Sequence, residues 1–163
     1  MSVRPATIAD AASIARIYNE GIEDRIATFE TRPRTPEDIE TWFDGRHPIV
    51  VADDAGSVVG FASTSTYRPR EAYAGVAEFG VYVARSHRGR GLGRALMTAL
   101  AAAAAAAGFW KLVSRVFVEN AASRALLASV GFREVGIYRR HGKLDGQWRD
   151  VVIVEQLIGA ATY

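Results

Sequence analysis

Three arginines and three glycines crowd into seven residues, Arg88-Gly89-Arg90-Gly91-Leu92-Gly93-Arg94. Guanidinium groups grip phosphate oxygens through paired N–H donors. Glycines let the main chain come close to a ligand, because no Cβ stands in the way. The chemistry this combination serves is the holding of an anion. Two elements must flank it for that to work. Residues 78–83, rich in β-branched and aromatic side chains, read as a strand running into the turn. From Gly91 or Leu92 an alanine-rich helix begins, whose first N–H groups lack partners inside the helix and whose dipole is positive there.

The spacing limits which anion. A P-loop needs Gly-x-x-x-x-Gly-Lys-Ser/Thr, and the chain has no such run. A dinucleotide fingerprint starting at Gly89 and Gly91 needs a glycine at position 94, where Arg94 stands. Charge supports the site. From residue 79 to residue 118 there are six basic residues (Arg85, Arg88, Arg90, Arg94, Lys111, Arg115) and no acidic one, although the whole chain carries only +2. A local positive field suits an anionic ligand, whereas a solvated basic face around a plain glycine turn is the bland alternative.

At 163 residues with 49% hydrophobic and 23% charged content, the chain reads as one globular domain. It has no cysteine, which removes disulfides, thiolate metal sites and a cysteine nucleophile. His47, His87 and His141 are too scattered for a metal site, so no metal is expected. The first residues lack the apolar core of a signal peptide, no run has the character of a membrane span, and the protein reads as cytoplasmic.

In chain order, residues 3–5 are a short strand. A helix follows from Thr7, with Ile8, Ala11, Ile14, Ile17 and Tyr18 at helical spacing, ending near Gly21. Residues 22–34 form a long connection. Thr35-Pro36-Glu37-Asp38 starts a second helix that Gly45 ends, with Ile39, Trp42 and Phe43 as its apolar face. Residues 49–52 and 58–66 are strands around an Asp53–Gly56 hairpin turn. After a polar loop at 67–75 come the central strand, the glycine turn and a helix to Ala107. A strand at 111–118, a helix at 120–130, and strands at 133–140 and 149–157 around a loop at 141–148 complete the chain. The order is β-α-α-β-β-β-α-β-α-β-β, an α/β domain with a mixed sheet.

The Arg88–Gly93 pattern resembles the Arg/Gln-x-x-Gly-x-Gly/Ala motif of the GNAT acetyltransferases, which share this element order. Val118-Glu119-Asn120-Ala121-Ala122-Ser123, followed by Gly131-Phe132, is similar to the family's second cofactor segment. Within the family the chain looks most like the phosphinothricin and arsinothricin N-acetyltransferases. The residues that carry this are the Thr28–Pro33 loop, Arg68-Pro69-Arg70-Glu71-Ala72-Tyr73, Glu78 in a Glu-x-x-Val-Tyr-Val run, and Gly146-Gln147-Trp148-Arg149-Asp150-Val151.

The resemblance implies acetyl-CoA as co-substrate and a small amine acceptor, a toxic glutamate analogue or methionine sulfoximine, with a homodimer as the assembly. It implies that Val81, Tyr82 and Val83 pair with the pantetheine arm, and that Arg88, Gly89, Arg90, Gly91, Leu92, Gly93 and Arg94 take the pyrophosphate. Asn120 and Ser123 would line the pantetheine region, although Asn120 reads equally well as a helix N-cap. Amine acetylation needs a base to remove a proton, and Glu78 is the candidate on the central strand. Arg68 and Arg70 would pair with acceptor anions, and Phe29 and Tyr73 would wall the pocket. Where many relatives carry a Tyr or His to protonate the leaving thiolate, this chain has Leu127. Water, Tyr82 or Tyr138 is left for that step. Acetylation of a protein N-terminus or a polyamine stays open, as does a module that binds acetyl-CoA without turnover. Trp148 is either core or part of the pocket.

Overall fold

In the computed structural model, which describes residues 1–162, the elements follow the expected order: β1 (Ser2–Pro5), α1 (Ala11–Asp24), α2 (Pro36–Glu40), β2 (Ile49–Asp54), β3 (Ser57–Thr66), β4 (Val76–Val83), α3 (Leu92–Ala106), β5 (Lys111–Phe117), α4 (Ala121–Ser129), β6 (Arg133–Leu144) and β7 (Gln147–Leu157). The strands form one sheet in the order β1-β2-β3-β4-β5-β7-β6. β4 and β5 run parallel, and the neighbouring pairs on either side are antiparallel.

The parallel pair is short. Register holds only from Val76 opposite Lys111 to Glu78 opposite Val113. Beyond Glu78 the two strands part, while β4 stays paired with β3 up to Val83 opposite Gly60. The sheet therefore opens into a fork at its centre. Helices cover both faces. The buried positions Leu92, Leu96, Met97, Leu100 and Ala104 of α3 lie on one side of the helix and join the core, as the 3.6-residue period requires. The buried Ala11, Ile14, Ala15 and Ile17 of α1 do the same.

Several boundaries differ from expectation for local reasons. Ile8 lies in a 3₁₀ turn before α1 and is exposed, so it is not part of the apolar face. α1 runs through Gly21 to Asp24 and ends at Arg25, whose φ of 58° is left-handed and whose N–H and guanidinium both donate to the Ile22 carbonyl. Gly21 faces the Tyr82 ring, where an added Cβ would make ordinary contact. α2 starts at Thr35–Asp38 as expected, closed there by a capping box, but is only five residues long, so Trp42 and Phe43 pack on the core from the turn that follows.

The expected loop at 141–148 is mostly strand. Gly142 pairs with Arg149, Lys143 with Trp148 and Leu144 with Gln147. The turn is Asp145-Gly146, at φ 51° and 77°, the Asp-Gly turn that matches the twist of an antiparallel pair. Trp148 is exposed there, with the Lys143 ammonium 4.5 Å from its ring centre. Among the described residues no helix is long and apolar enough to cross a membrane, and no cluster of His, Asp or Glu could hold a metal ion.

Candidate active site

The fork is lined by main chain as much as by side chains. Ala84 N–H donates to the Val59 carbonyl at 2.8 Å, making those two a hydrogen-bonded pair. In an antiparallel ladder such pairs alternate. By that alternation Glu78, Gly80 and Tyr82 turn their backbone groups to β3, and Phe79, Val81 and Val83 turn theirs into the fork. Two contacts agree with this. The Phe79 carbonyl accepts from Ser114 Oγ at 3.0 Å, and the Val83 carbonyl accepts from Arg88 Nε at 3.2 Å. Val81 thus presents both backbone groups to the opening. Tyr82 does not, and contributes there only through its side chain.

A cavity of about 390 Å³ occupies the fork. Its walls include Val81, Tyr82 and Val83 of β4, Arg88, Gly89 and the α3 start (Gly91 to Arg94), Ser114 and Arg115 of β5, and Asn120, Ser123 and Leu127. Gly89 and Gly91 sit at φ 78° and 80°, and a Cβ at either would meet only open space. The glycines are therefore required by backbone conformation, and they leave the α3 N-terminus uncovered. Leu92 is buried and points inward, Arg94 is exposed at the mouth, and Arg90 is exposed without bordering the cavity. This is an anion site opening into a slot edged by free strand groups.

Arg88 is not a free cation. Its Nη1 lies 2.6 Å from Asp24 Oδ2, and Arg85 pairs with Glu20, Glu23 and Asp24. The end of α1 thus clamps the glycine loop from about sixty residues away. The hydrogen bond from Arg85, helped by Arg88 and opposed by burial, holds the Asp24 carboxyl below its ordinary value. A lowered carboxylate pKa means that the stabilisation is present at neutral pH and is lost as pH falls through the folded-state value. Asp24→Asn should therefore lower the melting temperature by about 3–6 °C near neutrality, and the difference from wild type should shrink at an acid pH below the ordinary carboxylate range. Parallel thermal melts at both pH values check this. An equal gap at both would show that the pairing does not stabilise the fold.

Asn120 does what an N-cap does: its Oδ1 accepts from Ser123 N–H at 3.1 Å, and its Nδ2 donates to the Ile26 carbonyl at 3.1 Å. It lines the cavity while tying the 25–34 connection to α4. Leu127 is fully buried against the same cavity, leaving no proton donor at that wall position. Burial, reinforced by the neighbouring Tyr18, pushes the Tyr82 phenol well up, so it keeps its proton. Tyr138 is exposed on β6, its ring beside His141, and borders neither cavity described here.

On the opposite face of β4 lies a second cavity of about 590 Å³, bounded by Tyr18, Arg34, Trp42, Ser63, Ser65, Glu78 and Tyr82 among others. Glu78 projects to this side with Gly80 and Tyr82, since residues two apart on a strand share a face. Phe79, Gly80 and Tyr82 border both cavities. A Cβ at Gly80 would touch nothing within 4 Å, so Gly80 is an opening between the two spaces. Arg34, held by Glu30 at 2.7 Å, stands at the rim.

The structure gathers Glu78, Val81, Tyr82, Val83 and the glycine loop around one point, but not the expected pocket walls. Phe29 packs edge-on against Phe117, ring centres 4.8 Å apart, and under Gly142, where any Cβ would collide with its ring. It belongs to a small apolar cluster with Leu144 and Val151. Arg68 lies over the Tyr67 ring and Tyr73 meets the same ring edge-on. Arg70 is exposed. None of these four borders either cavity. Residues not anticipated as site residues are Arg115, which lines the fork and faces Glu78, and Tyr18, Arg34 and Gly80. Arg115 was legible only as one charge in a basic stretch.

A family model, the acetyltransferase (GNAT) family, matches residues 14–132. A phosphinothricin N-acetyltransferase of Streptomyces coelicolor is 37% identical over 96% of this chain and 95% of its own. An L-methionine sulfoximine/L-methionine sulfone acetyltransferase of Pseudomonas paraeruginosa is 36% identical over 94% and 92%. Among solved structures, a GNAT superfamily phosphinothricin acetyltransferase of Sinorhizobium meliloti in complex with acetyl-CoA superposes with a TM-score of 0.91. It is 31% identical and covers 99% of this chain and 90% of its own.

Proposed function

Because this chain belongs to the acetyltransferase (GNAT) family, we propose that it moves the acetyl group of acetyl-CoA to the α-amino group of a small amino-acid-like acceptor. Phosphinothricin, arsinothricin and methionine sulfoximine are the acceptors put forward. One observation carries this reading: an anion-binding fork and a second cavity meet at Gly80, with a carboxylate, Glu78, on the second side. The names of two relatives, a phosphinothricin and a methionine sulfoximine acetyltransferase, support the acceptor class.

The fork suits acetyl-CoA. The α3 N-terminus with Gly89 to Arg94 would hold the pyrophosphate, and Val81 and Val83 would pair with the pantetheine arm as a further strand would. Ser123 would border that arm. Bound there, acetyl-CoA supplies a thioester whose C–S bond breaks as the new C–N bond forms; the ammonium gives up two protons, one to Glu78 before attack and one, as the amide forms, to the leaving thiolate. Glu78 receives the amine proton. The Val81 N–H, aimed into the fork, steadies negative charge on the carbonyl oxygen. With Leu127 offering no acid, water or the Tyr82 hydroxyl relays a proton to the thiolate. Arg68, Arg70 and Tyr73 lie on the loop before β4 and border neither cavity, so the geometry lends no support to their holding the acceptor's second anionic group. The chain acts as a single domain, as a homodimer in the cytoplasm.

The test is thiol release from acetyl-CoA across phosphinothricin, arsinothricin, methionine sulfoximine, ordinary amino acids, spermidine and an N-terminal peptide. Turnover is expected with the first three. Turnover confined to spermidine or the peptide would reassign the acceptor, and acetyl-CoA binding without turnover on any amine would make the protein a binding module.

A further inference from the structure

Arg115 has no part in the reading above, yet it stands closest to the proposed base. Glu78 is in register with Val113 on the parallel strand, and Arg115 lies two residues further along β5, on the same face. Its Nη2 is 3.7 Å from Glu78 Oε1, with side chains 42% and 35% exposed. Glu78 borders the second cavity and Arg115 borders the fork, so the two charges straddle the junction. Of the other guanidinium groups that border the two cavities, Arg88 is paired with Asp24 at 2.6 Å and Arg34 with Glu30 at 2.7 Å, and Arg94 stands at the phosphate end by the α3 start.

Resting on the acetyltransferase reading, we propose that Arg115 binds the α-carboxylate of the acceptor and so restricts the enzyme to α-amino acids. The argument is one of matched charges. An α-amino acid carries an ammonium and a carboxylate on a single carbon. Glu78 and Arg115 present the complementary signs side by side. A half-exposed ion pair at this distance contributes little to stability, so its opening opposes binding only weakly. When the acceptor enters, the ammonium faces Glu78 and the carboxylate faces Arg115, and each protein charge keeps an opposite partner. The planar fork of arginine fits a carboxylate with two parallel N–H donors. The same contact turns the nitrogen toward the base, which is what proton removal needs.

The experiment compares L-methionine sulfone with 3-(methylsulfonyl)propylamine, the same molecule without its carboxyl group, in wild type, Arg115→Gln and Arg115→Lys. Thiol release gives kcat and KM, and thermal melts confirm folding. Wild type should strongly prefer the amino acid. Arg115→Gln should lower kcat/KM for the amino acid about 10- to 100-fold, mainly through KM, and leave the amine nearly unchanged. Arg115→Lys should recover part of the loss, since it restores charge without the planar fork. An equal fall for both acceptors, or a fall in kcat alone, would show that Arg115 acts through Glu78 or the fold and would overturn the proposal while leaving the acetyltransferase reading intact. A wild type that prefers the amine, or accepts neither compound nor any other amino acid, would overturn both.

Discussion

Glu78→Gln is expected to lower kcat by about 10²- to 10⁴-fold, the range a positioned general base contributes. Glutamine keeps the shape and removes the proton acceptor. KM for acetyl-CoA should hardly move, because Glu78 borders the second cavity and not the fork. The pH profile gives the sharper signature. An acceptor amine loses its own proton at a pH of about 8 or above, so the variant's activity should climb with pH and the gap to wild type should narrow. Steady-state kinetics from neutral to alkaline pH measure both features. Unchanged turnover at neutral pH would remove Glu78 from the role of base.

The second large effect is expected at Gly75, just before β4. Its carbonyl accepts from Trp110 N–H at 2.7 Å and Lys111 N–H at 3.2 Å, which sets the start of β5 against β4. A Cβ at this position would fall inside the Trp110 ring. The ring cannot move far without pulling on the same backbone that makes the two hydrogen bonds. Gly75→Ala should therefore destabilise the protein by about 2–3 kcal/mol, typical of forced overpacking, and lower the melting temperature by about 5–10 °C. Gly136→Ala is the control, since nothing lies within 4 Å of its added methyl. If the two variants melt together, the close contact at Trp110 does not hold the base of the fork.

Much of this was legible along the chain because it is local. The glycine–arginine turn announces itself within seven residues, and the capping box at Thr35 within four. The α3 apolar face recurs with the helical period. What stayed hidden depends on pairing across distance. Nothing near Arg88 shows that Asp24 will neutralise it, and nothing near Phe29 shows that Phe117 will cover it. Arg115 becomes a site residue only once β4 and β5 are set parallel in one register, where a slip of one residue would turn it to the other face. The strand at 141–148 is a different matter: the Asp145-Gly146 dipeptide is a turn signal in its own right, and it was hidden by the polar residues around it.

The fork also has a thermodynamic meaning. Where β4 and β5 part, each strand carries a bare edge inside the protein, of the kind sheets otherwise pair or cover. A ligand that lies along β4 completes the sheet, so its binding energy becomes folding energy. At a concentration one hundred times its dissociation constant such a ligand stabilises the native state by about 2.7 kcal/mol. The protein is then most resistant to unfolding when its donor substrate is plentiful, and its lifetime in a cell would follow the supply of that substrate.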